Sequence, residues 1–214
     1  GAVDPTCNGF NAQGLVLAVM STDVSNNRSS FSNRCGDAAT ACLGAPGTNV
    51  VTTAIGGGTQ TTNGTSLSAP HVSGALALVL QAFPTLSASQ AVNLLLTTAT
   101  DLGSSGVDTI FGNGLLNLSA AFQNQGLSLI PTGSNIGSSS IPLTSTSLSL
   151  GASFGNALSN NKFLNEAIII DGFQRPFKVD LRNTIVNAET KSNLSQFIFS
   201  NNYRNFTNQI TPKT

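Results

Sequence analysis

Charge is what this 214-residue sequence has least of: 9 Lys and Arg against 9 Asp and Glu, a net formal charge of zero, and 8% charged residues in all. A typical soluble domain carries roughly a quarter. With no excess of cations there is no basic stripe to neutralise a phosphate backbone, so nucleic acid is not an expected partner. Long apolar runs are also missing. Val72 to Phe83 is the longest candidate, well short of the roughly 18 residues that suggest a membrane span, and it reads as a buried helix. Histidine occurs once and cysteine three times. Cys35 and Cys42 have no His or further Cys near them to complete a zinc site, which leaves a disulfide closing a small loop, or two free thiols in a reduced protein.

In place of charge the chain is rich in Ser, Thr, Asn and Gly, a composition common among exported proteins. The few charges are unevenly placed. Seven fall in residues 1–161 and eleven in 162–214, which puts a composition boundary between about 125 and 162. The sequence starts at Gly1 without a charged and apolar leader, so a fragment or processed product of a longer chain is expected. Cys7 is then left to pair with something upstream.

Gly14 to Ser21 is a short apolar run flanked by turn residues, the pattern of a strand buried on both faces. Thr48 to Thr53 reads as a second strand, and Ser25 to Asn33 and Ile55 to Thr65 as loops. From Ser66 the pattern changes. Pro70 is expected in a first helical turn, where its missing N–H costs nothing, and Val72, Ala75, Leu76, Leu78, Val79 and Leu80 leave no polar face, so this helix should be covered all round. Phe83-Pro84 ends it. Ser87 with Gln90 forms a capping box for a second helix with Val92, Leu95, Leu96 and Ala99 on its apolar stripe. Leu116 to Phe122 is a short third helix. Downstream, Leu143 to Leu150 alternates as β structure or linker. Ala167–Ile170, Asp171-Gly172 and Phe173–Leu181 predict a hairpin with a tight primed turn. Arg175, Lys178, Asp180 and Arg182 are its solvated face. The Asn-rich tail from Asn193 carries no clear pattern.

The string with chemistry in it runs from Gly64 to Gly74, Gly-Thr-Ser-Leu-Ser-Ala-Pro-His-Val-Ser-Gly. A Ser placed where a Gly-rich loop becomes a buried helix has its N–H at the positive end of the helix dipole, where an anion would sit. An exposed hydroxyl held next to such a donor is what an acyl-transfer nucleophile needs. Gly64 would let substrate approach the backbone and Gly74 would let the helix pack tightly. A lone Ser at a helix start is ordinarily a cap. His71 is the only imidazole, but five helical positions rotate it about 140° from Ser66, so it does not face the hydroxyl as a general base.

The whole string resembles the nucleophile motif of the subtilisin-like serine proteases. The likeness extends upstream through Ala18-Val19, Asn27 to Asn33 and Ala45-Pro46-Gly47. Downstream it runs through Phe83 to Thr100 and Gly112 to Asn117, so that residues 14–122 are covered. The resemblance implies an α/β fold, the C-terminal part of a doubly wound, mostly parallel-sheet domain followed by a β-rich junction. It makes Ser66 the nucleophile and a backbone oxyanion donor, with Gly64 and Thr65 against the substrate and Ser68 structural. The family order of Asp, His, then Ser puts the other two triad members upstream of Gly1. Asp23, Asp37 and Asp101 are loop charges, and Asn8-Gly9 does not match the side-chain oxyanion donor's setting. The chain alone is therefore expected to be inactive, and to require the upstream half of the peptidase domain. No cofactor is implied, although calcium is common in the family without a site that can be placed here.

The passage after Phe122, with Leu150 to Ala157 and Ile170 to Leu181, is similar to the junction of bacterial serine-protease autotransporters, which lead to an outer-membrane barrel. No barrel strands recur before Thr214. The implied organisation is residues 1–122 as the C-terminal half of a peptidase domain, 123–160 as a Ser/Gly-rich linker or β stalk, and 161–214 as a β-rich junction. Function then reads as an exported endopeptidase acting on polypeptides at a bacterial surface. Against it stand a non-catalytic passenger or adhesion module on the same scaffold, and an acyl esterase on another fold, which lacks support because the Gly-x-Ser-x-Gly elbow is absent.

Overall fold

The structure is a computed structural model that describes residues 15–132, 139–145, 149–150, 162–182 and 186–187. Cys7, Asn8-Gly9, most of Leu150–Ala157 and the tail from Asn193 lie outside the described residues. The chain divides into two compact units, one ending at Ser128 but regaining Ile170–Arg175, the other made of 129–169 and the residues from Pro176 on.

The first unit is α/β. β1 (Ala18–Thr22) and β2 (Cys42–Pro46) pair in parallel, Ala18 opposite Cys42 and Thr22 opposite Pro46. A further step is added on the other edge of β2, where the Gly44 N–H donates to Gly114 O and Leu116 N–H donates to Gly44 O, both at 2.8 Å. Gly114 sits at φ 105°, and a Cβ there would lie 2.1 Å from Thr100 O, so only glycine lets the chain turn onto β2 at this point. Cys35 and Cys42 are joined in a disulfide. Both are buried with Met20 against Ala18, Ala39 and Phe111.

β2 was not foreseen, because Cys-Leu-Gly-Ala-Pro is too short and too rich in Gly and Pro to show a strand pattern; its burial comes from what packs on it. The expected strand near Thr48–Thr53 is β3 (Val50–Thr53), and it pairs antiparallel with β4 (Thr59–Thr62) inside the stretch read as loop. Three consecutive glycines with positive φ, Gly56 to Gly58, form the hairpin tip.

Helix α1 (Thr65–Ala82) lies on the parallel pair. Its buried stripe is Ser68, Val72, Ala75 and Val79, spaced as one helical face. Val72 and Val79 each stabilise by about 1.5 kcal/mol or more through burial. The opposite face is not covered by the described residues: Leu78 is 48% exposed, so the expectation of a helix covered all round does not hold for them. Pro70 is the sixth residue of α1 rather than part of its first turn. Its ring removes the N–H that would have bonded Ser66 O. Gly74 is exposed, with nothing within 4 Å of where a Cβ would be, so it does not serve close packing.

Helix α2 (Ala88–Thr97) begins with the expected capping box: Gln90 N–H donates to Ser87 Oγ at 3.3 Å and Ser87 N–H to Gln90 Oε1 at 2.9 Å. It buries Ala91, Val92, Leu94 and Leu95. Helix α3 (Leu118–Ala121) is a single turn capped by the Asn117 side chain.

In the second unit β5 (Leu129–Pro131) and β6 (Ser140–Pro142) are antiparallel. β8 (Ala167–Ile170) and β9 (Pro176–Val179) extend the sheet in the order β6-β5-β8-β9. The two-residue strands β7 (Ser149–Leu150) and β10 (Val186–Asn187) pair in parallel, and α4 (Lys162–Asn165) is one turn. Asp180 and Arg182 pair at the surface at 2.5 Å, and hydrogen bonding from Arg182 holds the Asp180 carboxyl down to about 2.

The 171–175 connection departs from the expected primed turn. Positive φ falls on Gln174, not Gly172, because the Asp171 carboxylate accepts from the N–H groups of Phe173 and Arg175 and shapes the loop itself. Arg175 is fully buried, not on a solvated face.

Candidate active site

The loop that presents Ser66 is fastened by three hydrogen bonds. Gly64 N–H donates to Gly47 O at 2.8 Å, Asn49 N–H donates to Asn63 Oδ1 at 2.6 Å, and Ser68 Oγ donates to Pro46 O at 3.2 Å. All three ties run to the turn that leaves β2. Gly47 is what allows that turn to approach: a Cβ on it would lie 2.3 Å from Ser21 Oγ, 2.3 Å from Ser68 Oγ and 2.7 Å from Gly64 O. Ser68 is 0% exposed, in keeping with the structural role expected for it.

Ser66 itself is the second residue of α1 and is exposed. Its hydroxyl makes no hydrogen bond among the described residues. At that position the backbone N–H has no intrahelical acceptor, since the first four N–H groups of any helix lack one. Gly64, at φ 170°, is in ordinary extended conformation, and its missing side chain matters for space: a Cβ would come 3.1 Å from Ser66 Oγ. Thr65 is the first helical residue, half-buried beside it. An uncommitted hydroxyl, an orphan N–H and the positive end of an 18-residue helix are thus brought together on a braced loop.

His71 is exposed and its Nδ1 donates to Leu67 O at 2.8 Å, one turn back on the same helix. That bond keeps the ring on its own helix, and no hydrogen bond joins it to Ser66. It lines an open cleft of 290 Å³ with Leu67, Pro70 and Val50 to Thr52.

Two of the three loop carboxylates are held by nearby backbone groups. Asp23 accepts from Asn27 N–H and Ser25 N–H, and the Asn27 backbone bond holds its pKa below the ordinary carboxylate range. Asp101 accepts from Gly106 N–H, and Asp37 sits in the first turn of a 3₁₀ segment, Gly36–Ala41. None is bonded to His71. Among the described residues no three His, Cys, Asp or Glu side chains gather as a metal site.

The braces at Asn49, Asn63 and Gly47 were not singled out from sequence as site residues. Their signals are local: an Asn before a Gly offers a side-chain oxygen to a neighbouring turn, and a Pro-Gly pair marks the end of a buried strand.

The sequence pattern of the subtilase family matches residues 7–114, half of the chain. The chain belongs to the subtilase family. Subtilisin DY of Bacillus licheniformis is 44% identical over 108 residues, covering 50% of this chain and 37% of its own. An extracellular serine protease of Serratia marcescens is 35% identical over 124 residues, covering 48% and 12%. Among solved structures, fervidolysin from Fervidobacterium pennivorans, a keratinolytic enzyme related to subtilisin, aligns over 55% of this chain and 21% of its own, with 29% identity and a TM-score of 0.45. The chain therefore spans well under half the length of these subtilase relatives. The matched stretch is a serine-peptidase type of sequence, and it contains the whole Gly64–Gly74 string.

Proposed function

We propose that this chain is the nucleophile-bearing part of a subtilisin-like serine endopeptidase. The observation that carries the reading is the exposed Ser66 hydroxyl, unbonded among the described residues, at the second position of α1 on a loop tied to Gly47, Pro46 and Asn49. In the reaction, Ser66 Oγ attacks the carbonyl carbon of a peptide bond and its proton passes to a base. The developing oxyanion is held by the Ser66 N–H, an interaction of a kind worth about 3 kcal/mol in the transition state. The amine leaves with a proton, and water hydrolyses the acyl-enzyme. Gly64 and Thr65 flank the substrate.

The base, its Asp partner and a side-chain oxyanion donor come from sequence upstream of Gly1, within a doubly wound domain that this chain completes. On that reading residues 1–122 are the C-terminal half of the peptidase domain, 123–160 a linker or stalk, and 161–214 a junction towards an outer-membrane barrel. The whole protein is exported, as its name states for the Serratia relative, and takes polypeptide substrates at the cell surface. The autotransporter assignment rests on the 150–181 similarity.

A fluorophosphonate probe applied to the chain joined to its upstream sequence should label Ser66, and Ser66→Ala should abolish labelling. The chain alone should react at no more than a residual level, because loss of triad members lowers rates by on the order of 10⁴ or more. The second reading, a non-catalytic passenger on this scaffold, is favoured by the absence of any hydrogen-bonded base at Ser66 among the described residues. It predicts no labelling in either setting.

A further inference from the structure

The last carbonyls of a helix have no intrahelical donors, and α3 finds its donors far along the chain. Arg175 Nη1 donates to Ala121 O at 2.5 Å across a separation of 54 residues, and Nη2 to Gln123 O at 2.8 Å across 52. Nε and Nη2 also donate to Asp171 Oδ2, at 2.9 and 2.6 Å. The guanidinium carbon lies 4.6 Å from the centre of the Phe83 ring, and Phe83 is the residue that ends α1. Phe83 in turn packs 5.7 Å from Phe122, which ends α3. One cation therefore serves the C-terminal ends of two helices, where positive charge is favoured.

Both side chains of the ion pair are fully buried. Removing two charges from water is costly and is offset only where the geometry is good and the remaining polar atoms find partners. The Asp171 carboxylate meets that condition, accepting from the N–H groups of Phe173, Arg175 and Gln125. Gly172 N–H adds a bond to Gln125 O at 2.8 Å, and Ile170 is buried beside the pair in sequence. A planar fork set on two carbonyls, one carboxylate and one ring face is an arrangement that lysine cannot reproduce. Ile170–Arg175 also belongs to the same compact unit as α1, whereas the intervening residues 129–169 do not.

We infer that Asp171 and Arg175 form a buried clasp that completes the unit carrying Ser66. That unit then ends at Arg175 and not at the boundary near residue 122 expected from sequence, and residues 129–169 are an excursion between its last two segments. The helices that present Ser66 depend for their stability on a short piece of downstream chain. Losing everything beyond residue 122 would strip the ends of α1 and α3 of the guanidinium, so a processing cut that leaves the Ser66 unit intact falls C-terminal to Arg175. The inference concerns the fold of this chain and holds whether or not Ser66 is a nucleophile.

The test is residue-resolved hydrogen exchange on the full chain, read at Leu94 and Leu95, which are buried in α2 and touch neither member of the pair through any bond named above. Removing one partner of a buried pair is strongly unfavourable, so Arg175→Met and Asp171→Asn should each speed exchange there by on the order of 100-fold or more. In the double variant Asp171→Asn should add less than about 10-fold, because its partner is already gone. Arg175→Lys keeps the charge without the fork and should still lose about 10-fold or more; it is the informative variant if Arg175→Met does not fold. Arg182→Met, which breaks the exposed pair with Asp180, is the control and should leave Leu94 and Leu95 unchanged. Protection kept at Leu94 and Leu95 in Arg175→Met and Asp171→Asn would overturn the proposal, since the clasp would then be peripheral to the unit. So would effects that simply multiply in the double variant, parent-like protection in Arg175→Lys, or an equal loss in Arg182→Met.

Discussion

Replacing Gly47 with Ala is the sharpest perturbation of the loop that holds Ser66. The new methyl group would meet the hydroxyls of Ser21 and Ser68 at 2.3 Å each and Gly64 O at 2.7 Å. The hydroxyls can rotate away only by giving up their partners, since Ser68 Oγ donates to Pro46 O and Ser21 Oγ shares a hydrogen bond with Ser29 Oγ at 2.8 Å. Both serines are 0% exposed, so neither finds water. Each buried hydroxyl left unpaired costs about 1–2 kcal/mol, and the remaining overlap with the Gly64 carbonyl adds about 1–2 kcal/mol of overpacking strain. The expected loss is on the order of 3–6 kcal/mol. Urea unfolding followed by the helical circular-dichroism signal measures it, because α1 and α2 supply most of the helix among the described residues. Ser68→Ala in the same chain should restore part of the loss by removing one of the two hydroxyl overlaps. Gly74→Ala is the control: with open space around it and helical neighbours, it should stabilise by about 0.5–1 kcal/mol. A Gly47→Ala chain within about 0.5 kcal/mol of the parent would refute the packing argument.

Three further outcomes follow from other parts of the first unit. Reducing the Cys35–Cys42 disulfide, which closes a loop with sequence separation 7, should lower stability by about 2 kcal/mol, read as a drop in melting temperature on adding reductant that Cys35→Ser/Cys42→Ser no longer shows. Ser87→Ala removes the capping box of α2 and should cost about 1 kcal/mol in urea unfolding, with amides at the start of α2 exchanging first. The Asp108 carboxylate is held below its ordinary value of 3.8, chiefly by the Phe111 N–H and also by those of Ile110 and Ser104. A depressed pKa supplies stability above the unfolded value, and that stability is lost as pH falls through the folded one. Asp108→Asn should therefore flatten the decline in melting temperature below about pH 4; an unchanged acid slope would count against it.

Local signals in the sequence reached as far as local physics does. The capping box at Ser87 and Gln90 and the stop at Phe83-Pro84 depend on near neighbours and were readable, while the strand expected over Gly14–Ser21 forms only from Ala18, with Leu15 and Val16 exposed ahead of it. The change from loop to helix at Gly64–Ser66 was readable too, although Pro70 and Gly74 do not take the places expected of them. What escaped was decided by contacts distant in sequence. β2 is a strand because β1, α1 and the Gly114–Leu116 segment pack around five residues with no strand pattern. Thr59–Thr62 became β4 through pairing with Val50–Thr53 across a three-glycine tip. Gly47 looked like an ordinary turn residue until Ser21 and Ser68 closed on it from both sides. Arg175 read as a surface charge, since nothing near it in sequence reveals the carbonyls of Ala121 and Gln123 that receive it.

On the proposed function, Ser66 is an acyl-transfer nucleophile whose base lies outside this chain. Mass spectrometry of the fluorophosphonate adduct, on the chain with and without its upstream sequence, tests it most directly. A modified Ser66 is expected in the longer protein, with loss of the adduct in Ser66→Ala and no more than trace modification of the 214-residue chain alone. An unmodified Ser66 in the longer protein, or efficient Ser66 labelling of the chain by itself, would contradict it.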